Sequence, residues 1–137
     1  MPKSSRREMD AFREVVLERD GTTCQCCGID VTHKLASIQH RIPRGAGGSA
    51  LVNRPSNGVL VCGSATTPGS CHNWMEHEDR AEAMRQGWLL PKNNPDIDPT
   101  EEPLLRYGVE WVLLDDEGYR STCEPPSRHP YIGEASG

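Results

Sequence analysis

Met9, Phe12, Val15 and Val16 recur at helical intervals, Ser5 and Glu8 have the spacing of a capping box, and Gly21 supplies a stop. The pattern predicts a helix from about Arg6 to Arg19. Leu35 to His40 reads as a short strand that runs into Arg41–Ser49, where one proline and three glycines rule out regular structure. His40 is therefore expected at a strand end beside a loop. Val59–Val61 is a second short apolar run, too brief to separate a strand from a helical turn. From His72 to Gln86 helix formers dominate, with Trp74, Met75, Ala81 and Met84 apolar and Gly87 placed to end a helix that begins near His72.

After Trp88–Leu90 the pattern weakens. Pro91–Pro103 carries four prolines and several acids, and reads as an exposed connection rather than a second core. Val109–Leu114, then Asp-Asp-Glu-Gly, then Tyr119–Thr122 predicts a hairpin with a short loop. Residues 124–137 are expected to be disordered. The layout is thus one principal domain over residues 1–91, followed over 92–137 by the connection, hairpin and tail.

The chain has 137 residues, only 5% aromatic and 35% hydrophobic, with 11 Pro and 13 Gly, so little apolar area is available for burial and another source of stability is expected. Six cysteines are the candidates. No apolar stretch of signal-peptide or membrane length is visible, so a cytoplasmic, reducing location is expected, in which clustered cysteines bind metal more often than they form bridges. Cys24 and Cys27 form a C-x-x-C pair followed by Gly28. Cys62 and Cys71, eight residues apart across a loop from Gly63 to Ser70, supply a second pair, and the four together suit a tetrahedral zinc ion. A buried thiol is the competing reading of any one of them. Cys26 could replace either neighbour as ligand, and Cys123, distant on the hairpin, reads as a free thiol.

A net charge of -5 argues against a partner for nucleic acid until its distribution is considered. Residues 1–91 hold 11 Lys and Arg against 10 Asp and Glu, whereas residues 92–137 hold 4 against 10. Val31–Met75 contains no acid but includes Lys34, Arg41, Arg44 and Arg54, so this segment could face a polyanion while the acidic part faces elsewhere.

Each of the five histidines, taken singly, is more often a surface or core residue than a functional one. Their relation to the cysteines alters this. His40 precedes the basic glycine-rich loop, His72 follows Cys71 directly, and Asn57 stands five residues before Cys62. If the four cysteines meet at one ion, His40 and His72 come to share a cleft. His77 is a weaker candidate, since five residues along a helix take it off the face of His72. His33 and His129 are weaker still.

Over Val16 to Leu90 the sequence resembles the zinc-containing HNH nucleases of the His-Me finger group, particularly short versions from phages and actinobacteria. The resemblance is carried by Cys24-x-x-Cys27, Ser37-Ile-Gln-His-Arg-Ile-Pro-Arg-Gly-Ala-Gly-Gly48, Asn53-Arg-Pro-Ser-Asn-Gly-Val-Leu-Val-Cys62 and Cys71-His-Asn-Trp74. It implies an α+β fold: a small ββα-metal core with a four-cysteine structural zinc site, an N-terminal helix and a C-terminal β-hairpin. It implies cleavage of DNA phosphodiester bonds to 5′-phosphate and 3′-hydroxyl ends, with His40 as first histidine, Asn57 as the asparagine and His72 as last histidine. Proteins of this kind act in phage packaging, restriction and mobile elements.

The chemistry such a reaction needs is a water made nucleophilic and a cation near the leaving oxygen. His40, with an ordinary imidazole pKa of ~6.5, suits a general base. His72 would hold Mg2+ or another divalent cation, distinct from the zinc. By the resemblance, Asn57 fixes the backbone around His40; on its residue type alone it is equally a turn residue. The family usually has Asp or His before its first histidine as a cation ligand, and here that residue is Gln39, a neutral and weaker ligand. Arg41, Arg44 and Arg54 flank these residues and are the candidate DNA contacts, beside Gly45, Gly47 and Gly48. Two other classes are compatible with these residues: a noncatalytic zinc module binding nucleic acid or protein, and, disfavoured because no signal peptide is visible, a disulfide-stapled exported domain.

Overall fold

In the computed structural model, which describes residues 6–43, 52–92 and 94–126, the N-terminal pattern forms helix α1, Arg6–Asp20. Phe12, Val16 and Asp20, four residues apart, make its buried face. Gly21 ends it at φ 65°, with its N–H on the Leu17 carbonyl. Strand β1, Ala36–His40, pairs antiparallel with β2, Gly58–Cys62, in a two-stranded sheet that sets Ile38 opposite Leu60 and His40 opposite Gly58. The open question over Val59–Val61 is thus answered as strand. Gly58 permits α1 to approach, because a Cβ there would meet the Phe12 ring. β2 is buried along nearly its whole length, touching α1 and the helical segment after Ser70, so it shows no alternation of apolar and polar residues.

The helix expected from His72 to Gln86 is present but divided. Ser70 caps a first turn, α2, Cys71–Asn73, by accepting from the Asn73 N–H. The chain then widens into a π turn, Trp74–Glu78, in which the Asp79 N–H reaches back to the Trp74 carbonyl at 2.9 Å. Asp79 leaves helical geometry at φ -146° and caps α3, Arg80–Arg85, by accepting from the Glu82 N–H. The break has a local cause: a short carboxylate satisfies helix N–H groups better as a cap than from a helix interior.

Leu104–Arg106 (β3), Glu110–Leu114 (β4) and Arg120–Thr122 (β5) form an antiparallel sheet in that order. The expected hairpin is its second half. β3 went unread because its three residues are too few to show a period, and the turn before β4 relies on positive φ at Tyr107 (58°) and Gly108 (71°).

One main cluster gathers Val59, Val61, Met75, Trp88 and Leu89 with Leu104, Val112 and Leu114, so the second sheet shares the core of the first. The segment expected to be an exposed connection is partly internal. Pro99 is buried in a turn, Pro99–Glu101, and Ile97 packs on a small cluster of Ile42, Val52 and Leu90. Residues 124–126 carry no regular structure, and the rest of the expected disordered tail lies outside the described residues. No helix among the described residues is long and apolar enough to cross a membrane.

Candidate functional site

The turn after α1 brings Cys24 and Cys27 together. The Cys24 N–H donates to the Ile29 carbonyl, the Gly28 N–H donates to the Cys24 carbonyl, and Gly28 takes φ 85°. Cys62 ends β2 and Cys71 begins α2, so both arms of the sheet's far end converge on this turn. The Sγ atoms of Cys24, Cys27, Cys62 and Cys71 lie within 4.8 Å of one another, near enough to hold a metal ion. Sulfurs bound to one tetrahedral ion at about 2.3 Å stand about 3.8 Å apart, so the cluster fits with small adjustment. The Cys62 N–H points at Cys24 Sγ and the Cys71 N–H at Cys62 Sγ, each at 3.3 Å, as donors that favour thiolate.

The proton distribution suits a cation. The Cys71 thiol bonds Cys24 and, with backbone donors and against burial, holds it down to about 4. Burial pushes Cys27 up to about 11, and the bond with Cys24 pushes Cys71 up. Of these three, one is a thiolate at neutral pH, and a bound cation would displace protons from the others. Cys26 stands outside the group of four, beside Cys71. Cys123 lies on no disulfide.

At the other end of β1, the His40 ring stacks on Phe12 with centroids 5.2 Å apart, and its Nε2 bonds Asn53 Oδ1 at 3.2 Å. Asn57 is fully buried. Its Oδ1 accepts from the Ile42 N–H (2.7 Å), and its Nδ2 donates to the carbonyls of Ile42 (3.1 Å) and Val52 (2.9 Å). Its own carbonyl accepts from the Arg41 N–H. One amide thus ties the backbone two residues past His40 to the far side of the segment 44–51.

His72 is oriented by Ser37. The Ser37 hydroxyl donates its single proton to the Gly63 carbonyl at 2.6 Å and lies 2.5 Å from His72 Nδ1. With that proton committed, Ser37 Oγ accepts from Nδ1–H, and His72 Nε2 carries the lone pair. Burial lowers the His72 pKa, outweighing the opposing charge of Glu76, so the ring is neutral at physiological pH. A cleft of about 460 Å³ is lined by both histidines together with Phe12, Arg13, Gln39 and Glu76.

Gln39 shares the face of β1 with Ser37. Its side chain is buried, its Nε2 donates to the Trp88 carbonyl at 3.1 Å, and its Oε1 has no partner among the described residues.

Two expected DNA contacts are otherwise engaged. Arg41 is wholly buried, donating to the carbonyls of Gly87, Ser56, Pro99 and Glu102 at 2.7–3.1 Å. It cannot reach a phosphate; it gathers loop carbonyls, of which, among the described residues, only that of Pro99 has a second donor, the Glu102 N–H. Arg54 lies 2.8 Å from both Asp98 and Asp116. Two acids of the C-terminal part, Asp98 and Asp116, therefore turn toward this segment rather than away from it. Arg44 lies outside the described residues. Two cleft residues were missed by sequence reasoning. Arg13 is exposed on the polar face of α1, and only its helical phase relative to Met9 and Phe12 could have signalled it. Glu76 carries a stronger signal, its i,i+4 spacing from His72.

No family model matches the chain, and neither does any curated protein or solved structure.

Proposed function

We propose that the protein is a metal-dependent phosphodiester hydrolase that cuts or nicks DNA, built on a ββα-metal core with a structural zinc ion at Cys24, Cys27, Cys62 and Cys71. The observation that carries this reading is the single cleft shared by His40, at the end of β1, and His72, at the start of the helix after β2. Zinc is favoured by four thiols within 4.8 Å of one another with N–H donors behind two of them.

His40 acts as general base, its ring held by Phe12 and Asn53. Asn57 holds the backbone that follows it. His72, fixed as the Nδ1–H tautomer by Ser37, presents Nε2 to a divalent cation, and Gln39 Oε1 offers a neutral oxygen. A cation bound there would offset charge on the leaving oxygen. Arg13, rather than Arg41 or Arg54, is the phosphate contact at the cleft.

The occupied state of Arg41 and Arg54 favours a second reading, a noncatalytic zinc module. Relaxation of supercoiled plasmid with Mg2+, Mn2+ or Ni2+, comparing wild type with His40→Ala at matched zinc content, separates the two. Relaxation lost in the variant supports the hydrolase. Equal relaxation by both proteins, or none with any cation, rules it out.

A further inference from the structure

His72 and Gln39 alone would offer a cation in the cleft an imidazole nitrogen and an amide, with no negative charge. Glu76 changes that. Its Oε2 stands 3.9 Å from His72 Nε2, the ring nitrogen that carries the lone pair, and Glu76 lines the same cleft as Gln39. Two atoms that each bind a cation at about 2.0–2.2 Å and face each other at that separation leave room for one ion between them. A direct hydrogen bond between them is excluded by distance and by the tautomer, since neither carries a proton toward the other.

The backbone explains how Glu76 reaches this position. It sits in the π turn Trp74–Glu78, and such widened turns recur where a helix must aim a side chain at a functional site. The two carboxylate oxygens are divided: Oε1 lies 3.8 Å from the exposed Arg80 guanidinium, and Oε2 is turned to His72. A second observation on a residue lining the same cleft is compatible with a ligand. Gln39 Oε1 is a fully buried acceptor with no donor among the described residues, on a side chain whose other end is fixed by the Trp88 carbonyl. Such an atom is costly unless an ion or its bound water meets it.

We propose that Glu76 is a ligand of the cleft cation, completing with His72 Nε2 and Gln39 Oε1 a mixed nitrogen and oxygen site that prefers Mn2+ to Mg2+. The carboxylate supplies the charge that Gln39 lacks, and the imidazole shifts preference from the hardest cations toward first-row metals. The inference rests on the reading of His72 as a cation ligand, but not on hydrolysis.

The test is calorimetric titration of Mn2+ into zinc-loaded protein, in wild type, Glu76→Gln and the neighbouring control Glu78→Gln, with plasmid relaxation on the same samples. Glu76→Gln is expected to weaken Mn2+ binding about tenfold or more, Glu78→Gln to change it less than about twofold, and wild type to bind Mg2+ more weakly than Mn2+. Glu76→Gln binding within twofold of wild type overturns the assignment, as does a wild type that binds no Mn2+ beyond its zinc. If Mn2+ binding depends on Glu76 while plasmid stays intact, the assignment stands and the hydrolase reading fails. If plasmid relaxes in a His40-dependent manner while Glu76→Gln binds normally, the reverse holds.

Discussion

Asn57 bonds both sides of the segment that follows His40, through Ile42 and Val52, and is fully buried. Replacing it by Ala leaves an N–H and two carbonyls without partners, so Asn57→Ala should lose about 2–4 kcal/mol in urea unfolding. Its activity should fall further than a surface control of equal stability. Arg41→Leu, which orphans the carbonyls of Gly87, Ser56 and Glu102 and leaves that of Pro99 only the Glu102 N–H, should be at least as destabilising, and the salt dependence of the proposed DNA binding should not change, because the side chain meets no solvent. At this scale chemistry was more legible than location. Sequence reveals that Arg41 is a cation, but its burial depends on carbonyls from residues 56, 87, 99 and 102, which only the fold assembles. Glu76 was signalled only by its i,i+4 spacing from His72, and a carboxylate on a polar helix face otherwise looks solvated.

At the scale of elements, α1 and β1 were legible because each carries its own period and its own stop. The helix after Ser70 was legible as a helix but not as two pieces, since propensity summed over the segment hides the competition at Asp79. Asp79→Ala should remove the cap of α3 and cost about 1 kcal/mol without affecting metal content. Asp116 links the second sheet's loop to the turn before β2, accepting from the Ser56 N–H and hydroxyl and from Arg54. Burial opposes its ionisation, but these donors prevail and hold its pKa below the usual range, as Thr100 and Arg54 do against burial for Asp98. A carboxylate with a lowered folded pKa stabilises fully above its unfolded value of ~3.9 and loses that contribution as pH falls through the folded value. The stability gap between wild type and Asp116→Asn should therefore stay constant from about pH 8 to about pH 5, by urea titration at each pH, and close only below ~3.9.

For the whole molecule, a core poor in aromatic residues implied an added staple, and the four cysteines were legible as a set because C-x-x-C marks one half and Cys62 and Cys71 bracket a glycine-containing loop. What the sequence did not disclose is that the C-terminal sheet lends Leu104, Val112 and Leu114 to the same core. Those residues are separated from β2 by more chain than local patterns can bridge. Metal analysis should find about one tightly held zinc per chain, and chelation should unfold the protein cooperatively. Because Cys27 and Cys71 keep their protons without metal, zinc binding should release protons and weaken as pH falls. The central claim is that His40 removes a proton from water in a cleft it shares with His72. Cleavage of a defined DNA duplex by zinc-loaded His40→Ala, with and without added imidazole and with Mn2+ present, tests it most directly. Loss of cleavage by about a hundredfold or more, partly restored by imidazole, is the predicted result; cleavage at the wild-type rate without imidazole would contradict it.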